Sequence, residues 1–372
     1  MRTSAVAGIV FANSNDNLLN RLTSLRSMAS VPFGGRYRLV DFALSNLVNA
    51  GIANIGIITK ENYHSLMDHV GSGVYWDLDR KNGGLYLLPP YATSEAKRYI
   101  GTVDALIGAQ NYMNRCGSDY IILYNSDIVA NVDIPAAIEA HVSNQADVTV
   151  VYHKGSSPKN HKETMLLELS DNNRIYKINF NTESQADVNY DIGITVLSRE
   201  LLKKLVAEGY ENDARSLNRD IFAKATGQLK IYGFEHKGFV AVMDSMSSYY
   251  MANMDLLKSD IRKDLFDKKR PVFTKTRDDM PTRYGTKSNV KNSFIADGCI
   301  IDGTVKNSIL FRGVRVEKGA VVENCILMQE AAVGEKANLK NVISDKNAVI
   351  GADMVLNGTE NNCFFIEKNQ IL

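Results

Sequence analysis

The sequence has little with which to build a metal cluster, a disulfide framework or a polyanion-binding face. Its four cysteines, Cys116, Cys299, Cys325 and Cys363, are far apart and show no metal or disulfide spacing. That excludes a cysteine-stapled secreted scaffold and points to a reducing cytoplasm. The formal net charge is only +1, so electrostatic capture of DNA, RNA or an anionic membrane is not expected. No run approaches the ~20 apolar residues of a membrane helix. The amino terminus, MRTSAVAGIVFANSNDN, sets one arginine before a short apolar run. The run is too short for a signal peptide and no small-residue cleavage site follows, so it reads as a first core strand. What is present is an ordinary globular composition, 45% apolar and 23% charged over 372 residues, long enough for two domains.

The first ~250 residues alternate between strand and helix signals. AVAGIVF is a short apolar run; Asp41 is placed to cap a helix through FALSNLVNAG, and Gly51 sits where that helix should stop. NIGIITK reads as a strand and ENYHSLMDHVG as a helix. DALIGAQNYMNRCG is helical, DYIILYNSDIV a buried strand ending in polar residues, and PAAIEAHVSNQ with ADVTVVYHK repeats the helix–strand unit. DIGITVLS, RELLKKLVAEG and a closing helix MSSYYMANMDLLKSD follow. Strands joined by crossover helices predict an α/β domain with a mainly parallel sheet covered on both faces, binding ligands beyond the carboxyl ends of its strands.

The texture changes over residues 258–285, a charged stretch read as a linker between a domain at 1–257 and another at 286–372. The last segment has a six-residue beat, with Ile295 and Ile301, then Val316, Val322 and Met328, then Val333 and Leu339. Such a beat predicts a parallel β-helix with three hexapeptides per coil and the branched residues inward. GTVKNSILFRG breaks the phase, and an irregular antiparallel β domain is the alternative. A stack of coils leaves flat faces and an end to cover, so oligomerisation is a physical expectation.

Four stretches carry a resemblance: VPFGGRYRLVDFALSNLVNAGI, WDLDRKNGGLYLLPPY, IGTVDALIGAQNY and YYMANMDLL. Together with the β-helix tail they resemble the ADP-glucose pyrophosphorylase (glucose-1-phosphate adenylyltransferase) family over nearly the whole chain. The resemblance implies a Rossmann-like (GT-A-like) nucleotidyltransferase domain followed by a left-handed parallel β-helix. It also implies a tetramer, with an allosteric site at the junction of the two domains. Family members join glucose 1-phosphate to ATP, releasing pyrophosphate, for glycogen or starch synthesis.

That chemistry needs a glycine-rich turn approaching the triphosphate, a cation on the phosphoryl oxygens and carboxylates for Mg²⁺. Against the family's G-G-x-G-x-R-L loop this chain reads NSNDNLL. The glycines become Asn13, Ser14 and Asp16, the catalytic arginine becomes Leu18, and a downstream lysine becomes Met28. Asn and Asp tolerate the left-handed backbone, but their side chains occupy phosphate space, and Asp16 would add a like charge beside it. Losing a cationic clamp of this kind typically costs ~10³–10⁵ in rate. The family's G-D-H reads NSD, putting Ser126 at the metal carboxylate and Asp127 one residue later, turned to the other face. The second metal carboxylate becomes Val242, with Asp244 two residues on, and NFNTES carries no lysine where the family places its sugar-phosphate lysine. All these losses fall on one reaction.

The resemblance therefore implies no catalytic residues, no metal and no cofactor. It implies a regulatory subunit, catalytically weak or inactive alone, of the non-catalytic D-type known in bacterial glycogen synthesis. Its partner would be a catalytic homologue in a hetero-oligomer, with self-association alone as a further state. Two other readings stand beside it. One is an active Mg²⁺-dependent adenylyltransferase with a site rebuilt on Asp127, Asp244 and Lys60 or Lys97; the other is a stand-alone sugar or nucleotide sensor. Gly101, Thr102 and Asp104 open a helix and either cap it or line a remaining base pocket. Gly34, Gly35 and Arg36 form either an ordinary turn or a subunit or ligand surface. Arg21, Arg26, Arg36 and Arg38 are either solvated charges or an anion site for a sugar bisphosphate, although Leu25 stands where the family's activator lysine would be. Asp127 is expected to be solvated or capping, His64 and His69 to be surface residues, and the Trp76, Asp77, Asp79 and Arg80 loop to be structural.

Overall fold

The computed structural model describes residues 5–90, 99–180, 183 and 185–372. Lys97 and most of the NTES stretch lie outside the described residues. Val6–Phe11 is buried along its whole length, as its unbroken apolar run requires, and lies inside a nine-stranded sheet. It runs parallel to Asn54–Ile58 on one side and Tyr120–Asn125 on the other, and Gly84–Leu88 continues the parallel set. Val188–Ser198 runs antiparallel between Tyr120–Asn125 and Val148–Gly155. Only it and Ile175–Phe180 oppose the other seven strands, so the sheet is mixed and mainly parallel.

Period-two alternation sends neighbouring side chains to opposite faces. Val6 and Val10 join Leu44, Leu47 and Ile134 in one core, while Ile9 and Phe11 join Val103, Leu106 and Leu202 in another. Each large aliphatic side chain buried in this way contributes about 1.5–3 kcal/mol. The helix containing FALSNLVN spans Leu39–Asn49, three residues earlier than Asp41 capping predicts, because Asp41 acts from its first turn by accepting the Arg38 amide at 3.0 Å. The other oxygen of Asp41 lies 2.6 Å from His69 Nε2. His69 is therefore a buried core residue and not a surface one, whereas His64 is exposed.

Residues 258–285 are not a featureless linker. They hold a helix, Ser259–Leu265, and then a strap fixed to the first unit, with Asn131 Nδ2 donating to the Leu265 and Arg270 carbonyls and the Phe273 amide donating to Ser45. Arg283–Tyr284 is already the first strand of the coiled unit.

That unit is three five-stranded parallel sheets stacked as coils. Strand partners along one face stand 17, 15, 17 and 17 residues apart. Ile301, Val316, Val322, Met328, Val333 and Leu339 are buried, and Ile295 is half-buried. The broken phase at GTVKNSILFRG is a shortened corner: only Asp302 and Gly303 separate strands that four residues, 317–320, separate in the next coil. The corner is tight enough that a Cβ on Gly303 would lie 2.6 Å from the Ala320 carbonyl oxygen. Another edge is turned by a ladder of left-handed asparagines, Asn292, Asn307, Asn324 and Asn341, with φ between 45° and 52°, a conformation asparagine tolerates better than most residues.

The two units share a core. Met28, Phe33, Phe42, Tyr249 and Leu256 pack with Ile309, Phe311, Ile326 and Met328 of the coils. The Gly34–Gly35 turn is built for this junction. Both glycines have positive φ, the Gly34 amide donates to Asn253 Oδ1 at 2.9 Å, and a Cβ on Gly35 would lie 3.6 Å from the Leu310 carbonyl oxygen.

Candidate functional site

Phe11 stands opposite both Ile58 and Asn125, so three parallel strands end level. Their loops open into one cleft. Asn13, Ser14, Asn15 and Lys60 line one side, Gly101 and Thr102 the roof, and His161, Glu163, Asp191 and Gly193 the far side.

The loop after the first strand is held shut by its own side chains. Asn15 takes the left-handed conformation, φ 57°. Asn13 Nδ2 donates to Asp16 Oδ2 at 2.7 Å and Asn13 Oδ1 accepts the Lys60 amide at 2.8 Å. Asp16 Oδ1 accepts the Met28 amide at 2.7 Å. Burial is the largest influence on the Asp16 carboxyl and pushes its pKa up to about 6, against the lowering effect of its hydrogen bonds. Asp16 is thus turned into the loop and does not face the cleft as a like charge. Leu18 is half-buried, and Met28 is fully buried in the core shared with the coils. A lysine-type contact to a phosphate has no counterpart at either position.

The positions aligned with metal carboxylates are committed elsewhere. Ser126 donates to the Phe11 carbonyl at 2.7 Å, and Val242 pairs with Ile128 in a short two-stranded ladder. Asp127 is fully buried, against the expectation of a solvated carboxylate. Its Oδ2 receives Asn15 Nδ2 at 2.7 Å and lies 3.0 Å from His161 Nε2. Its Oδ1 is buried without a hydrogen-bond partner among the described residues. Asp244 accepts the Asn160 amide at 3.0 Å and the Ser245 hydroxyl at 3.1 Å. Mg²⁺ demands near-octahedral oxygen ligation and keeps several waters. With a valine, a committed serine and an imidazole against Asp127, the residues do not fit it. Among the described residues no group of three or more His, Cys, Asp or Glu side chains is disposed to hold a metal ion.

The roof of the cleft is intact. A Cβ on Gly101 would fall 2.1 Å from the Arg215 carbonyl oxygen, and Thr102 Oγ1 accepts the Leu217 amide at 2.8 Å. Asp104 accepts the Ile100 amide at 3.1 Å, which is a capping role directed away from the cleft.

The arginines separate into different environments. Arg26 is buried and forms an ion pair with Asp345 of the coils at 2.9 Å, so it is not a solvated charge. Its Nη1 has no partner among the described residues. Arg38 Nη1 donates to the Ser65 carbonyl and hydroxyl, and burial lowers its pKa to about 10. Lys346, whose pKa burial and then the charges of Arg38 and Arg26 push down to about 7, lies at the same junction of the two units. Arg36 is exposed, and Arg21 lies over the Phe365 ring at 5.7 Å.

His161 and Asp191 were not legible as site residues. Burial raises the Asp191 pKa to about 6, His161 opposing the shift, and its carboxylate accepts the Met165 and Gly193 amides. An aspartate interrupting the apolar run of DIGITVLS was the available signal for it. His161 lies in a polar loop with no pattern to mark it.

Comparison with known proteins agrees with this architecture. The family described as Nucleotidyl transferase matches residues 9–177, and GlmU-like, C-terminal hexapeptide matches residues 278–362. The glycogen biosynthesis protein GlgD of Bacillus subtilis is 33% identical over 372 residues, covering 100% of this chain and 98% of that protein. GlgD of Geobacillus stearothermophilus is 37% identical over 316 residues, 85% of this chain and 82% of that one. The glucose-1-phosphate adenylyltransferase of Bacillus mycoides is 29% identical over 354 residues, 94% of this chain and 92% of that enzyme. With both units matched in order and likeness running end to end, the chain belongs to the glucose-1-phosphate adenylyltransferase (ADP-glucose pyrophosphorylase) family.

Proposed function

We propose that this chain is a regulatory subunit of glucose-1-phosphate adenylyltransferase in glycogen biosynthesis, with little or no turnover of its own. The observation that carries the reading is the bonded loop Asn13–Asp16. Side chains fill the phosphate side of the cleft, and the positions of the cationic clamp hold Leu18 and Met28. Chemistry on the α-phosphate of ATP needs charge stabilisation in place before the reaction; the described lining of this cleft carries no arginine. Its action would be to bias the conformational equilibrium of a catalytic homologue through a shared interface, in a hetero-oligomer of tetramer size.

The cleft space beneath Gly101 and Thr102 supports residual binding of a nucleotide or sugar without turnover, which is also the basis of a sensor reading. Arg26 is committed to Asp345 and Arg38 to Ser65, which supports an interface role for these arginines between the two units over an anionic effector site. The test is to mix the purified chain with a catalytic homologue and measure mass by sedimentation. A mixed oligomer distinct from either protein alone is expected. Two proteins sedimenting independently would overturn the subunit reading and favour the sensor.

A further inference from the structure

We infer that the His161 side chain stands against the buried Asp127 carboxylate in place of a divalent cation, so that this cleft takes up no Mg²⁺ while the ring is there. Three observations carry it. The ring is fixed at both ends, Nε2 at 3.0 Å from Asp127 Oδ2 and Nδ1 at 2.8 Å from Thr164 Oγ1, and it is buried. Asp127 is fully buried yet leaves Oδ1 without a partner among the described residues, the condition of a carboxylate that needs a counter-charge close by. The ring comes from the loop between Val148–Gly155 and Met165–Leu169, whereas the carboxylates come from three other places. Asp127 follows Tyr120–Asn125, Asp191 lies within Val188–Ser198, and Asp244 precedes Met246–Asp255. Only the fold brings them together.

Each element packed around the ring contributes a defined group. Asn15 of the first loop places its amide nitrogen 2.5 Å from Nε2 and 2.7 Å from Asp127 Oδ2. In either tautomer the ring occupies the space beside Asp127 Oδ2 and bonds Thr164 through its other nitrogen. It demands no octahedral oxygen shell, and nitrogen is a poor ligand for a hard cation such as Mg²⁺.

The inference goes beyond the regulatory reading and does not need it. The test is a Mn²⁺ titration of the full chain followed by electron paramagnetic resonance, with NMR of ¹⁵N-labelled histidine rings. The native chain is expected to show no Mn²⁺ site sensitive to Asp127→Asn. His161→Ala is expected to bind Mn²⁺ about tenfold or more tightly, because affinity follows the count of available charged ligands, and Asp127→Asn added to it should remove the gain. A native Mn²⁺ site abolished by Asp127→Asn would overturn the inference, as would a folded His161→Ala variant that gains nothing. Should His161→Ala fail to fold, the native chain decides. Ring signals of His161 unmoved by millimolar Mg²⁺ support the inference, and signals displaced by it overturn it. Metal uptake would leave the mixed oligomer, measured separately, untouched.

Discussion

Arg26→Ala is the sharpest perturbation of the junction between the two units. Both members of the Arg26–Asp345 pair are almost wholly buried, 3% and 5% exposed, and they meet at 2.9 Å. Removing the guanidinium leaves the Asp345 carboxylate buried, with the Lys346 amide as its remaining hydrogen-bond donor among the described residues. Breaking a buried pair in this way costs about 3–5 kcal/mol. Part of that is returned, because Arg26 also repels Lys346 and Arg38. The net loss should lie at the low end, about 3 kcal/mol. With ~2.1 cal/mol/K of unfolding entropy per residue, a chain of 372 residues would lose roughly 4 °C in Tm. Urea unfolding near neutral pH, followed by circular dichroism, measures the free energy, and differential scanning fluorimetry measures the Tm. The double variant Arg26→Met with Asp345→Leu should recover most of the loss, since apolar groups of similar size replace a buried pair at little cost. A loss below about 1 kcal/mol for Arg26→Ala, the range of an exposed pair, would refute the reasoning.

Lys346 has its pKa lowered to about 7 by burial first and by Arg38 and Arg26 next. The unfolded chain then holds that proton more tightly, so stability should rise with pH from about 7 toward the ordinary lysine range of ~10.4. Lys346→Met should flatten that rise, read as urea midpoints across the range. Asp16, raised to about 6 mainly by burial, has the opposite sign: the folded chain binds the proton more tightly, and stability should fall as pH rises from about 4 to 6. Asp16→Asn should reduce that fall while keeping an acceptor for the Met28 amide, checked by the same midpoints at acid pH. Gly101→Ala forces a Cβ to within 2.1 Å of the Arg215 carbonyl oxygen and should cost about 1–3 kcal/mol. Unchanged urea stability would show that the cleft roof yields freely.

The fold was legible because its periods are strong. AVAGIVF and DYIILYN read best as buried strands, and the hexapeptide beat favoured the coils over an antiparallel β domain. The two-residue corner at Asp302–Gly303 was visible only as a break in phase, because corner length is set by the neighbouring coil. The junction was not legible. Arg26 and Asp345 are 319 residues apart, and nothing local in either distinguishes a buried ion pair from a solvated charge. His69 was misplaced for the same reason, since its partner Asp41 lies on another helix. At the site, the replaced loop residues were readable one by one. How they satisfy each other was not, because Asp16 turns inward only once Asn13 and the Met28 amide are there to receive it.

The most direct measurement is pyrophosphate release from ATP and glucose 1-phosphate with Mg²⁺, by this chain alone and then mixed with a catalytic homologue. No release alone together with an altered rate or affinity in the mixture is expected of a regulatory subunit. Robust turnover by the chain alone would contradict it and require the Asn13–Asp16 loop to open and a metal to displace His161.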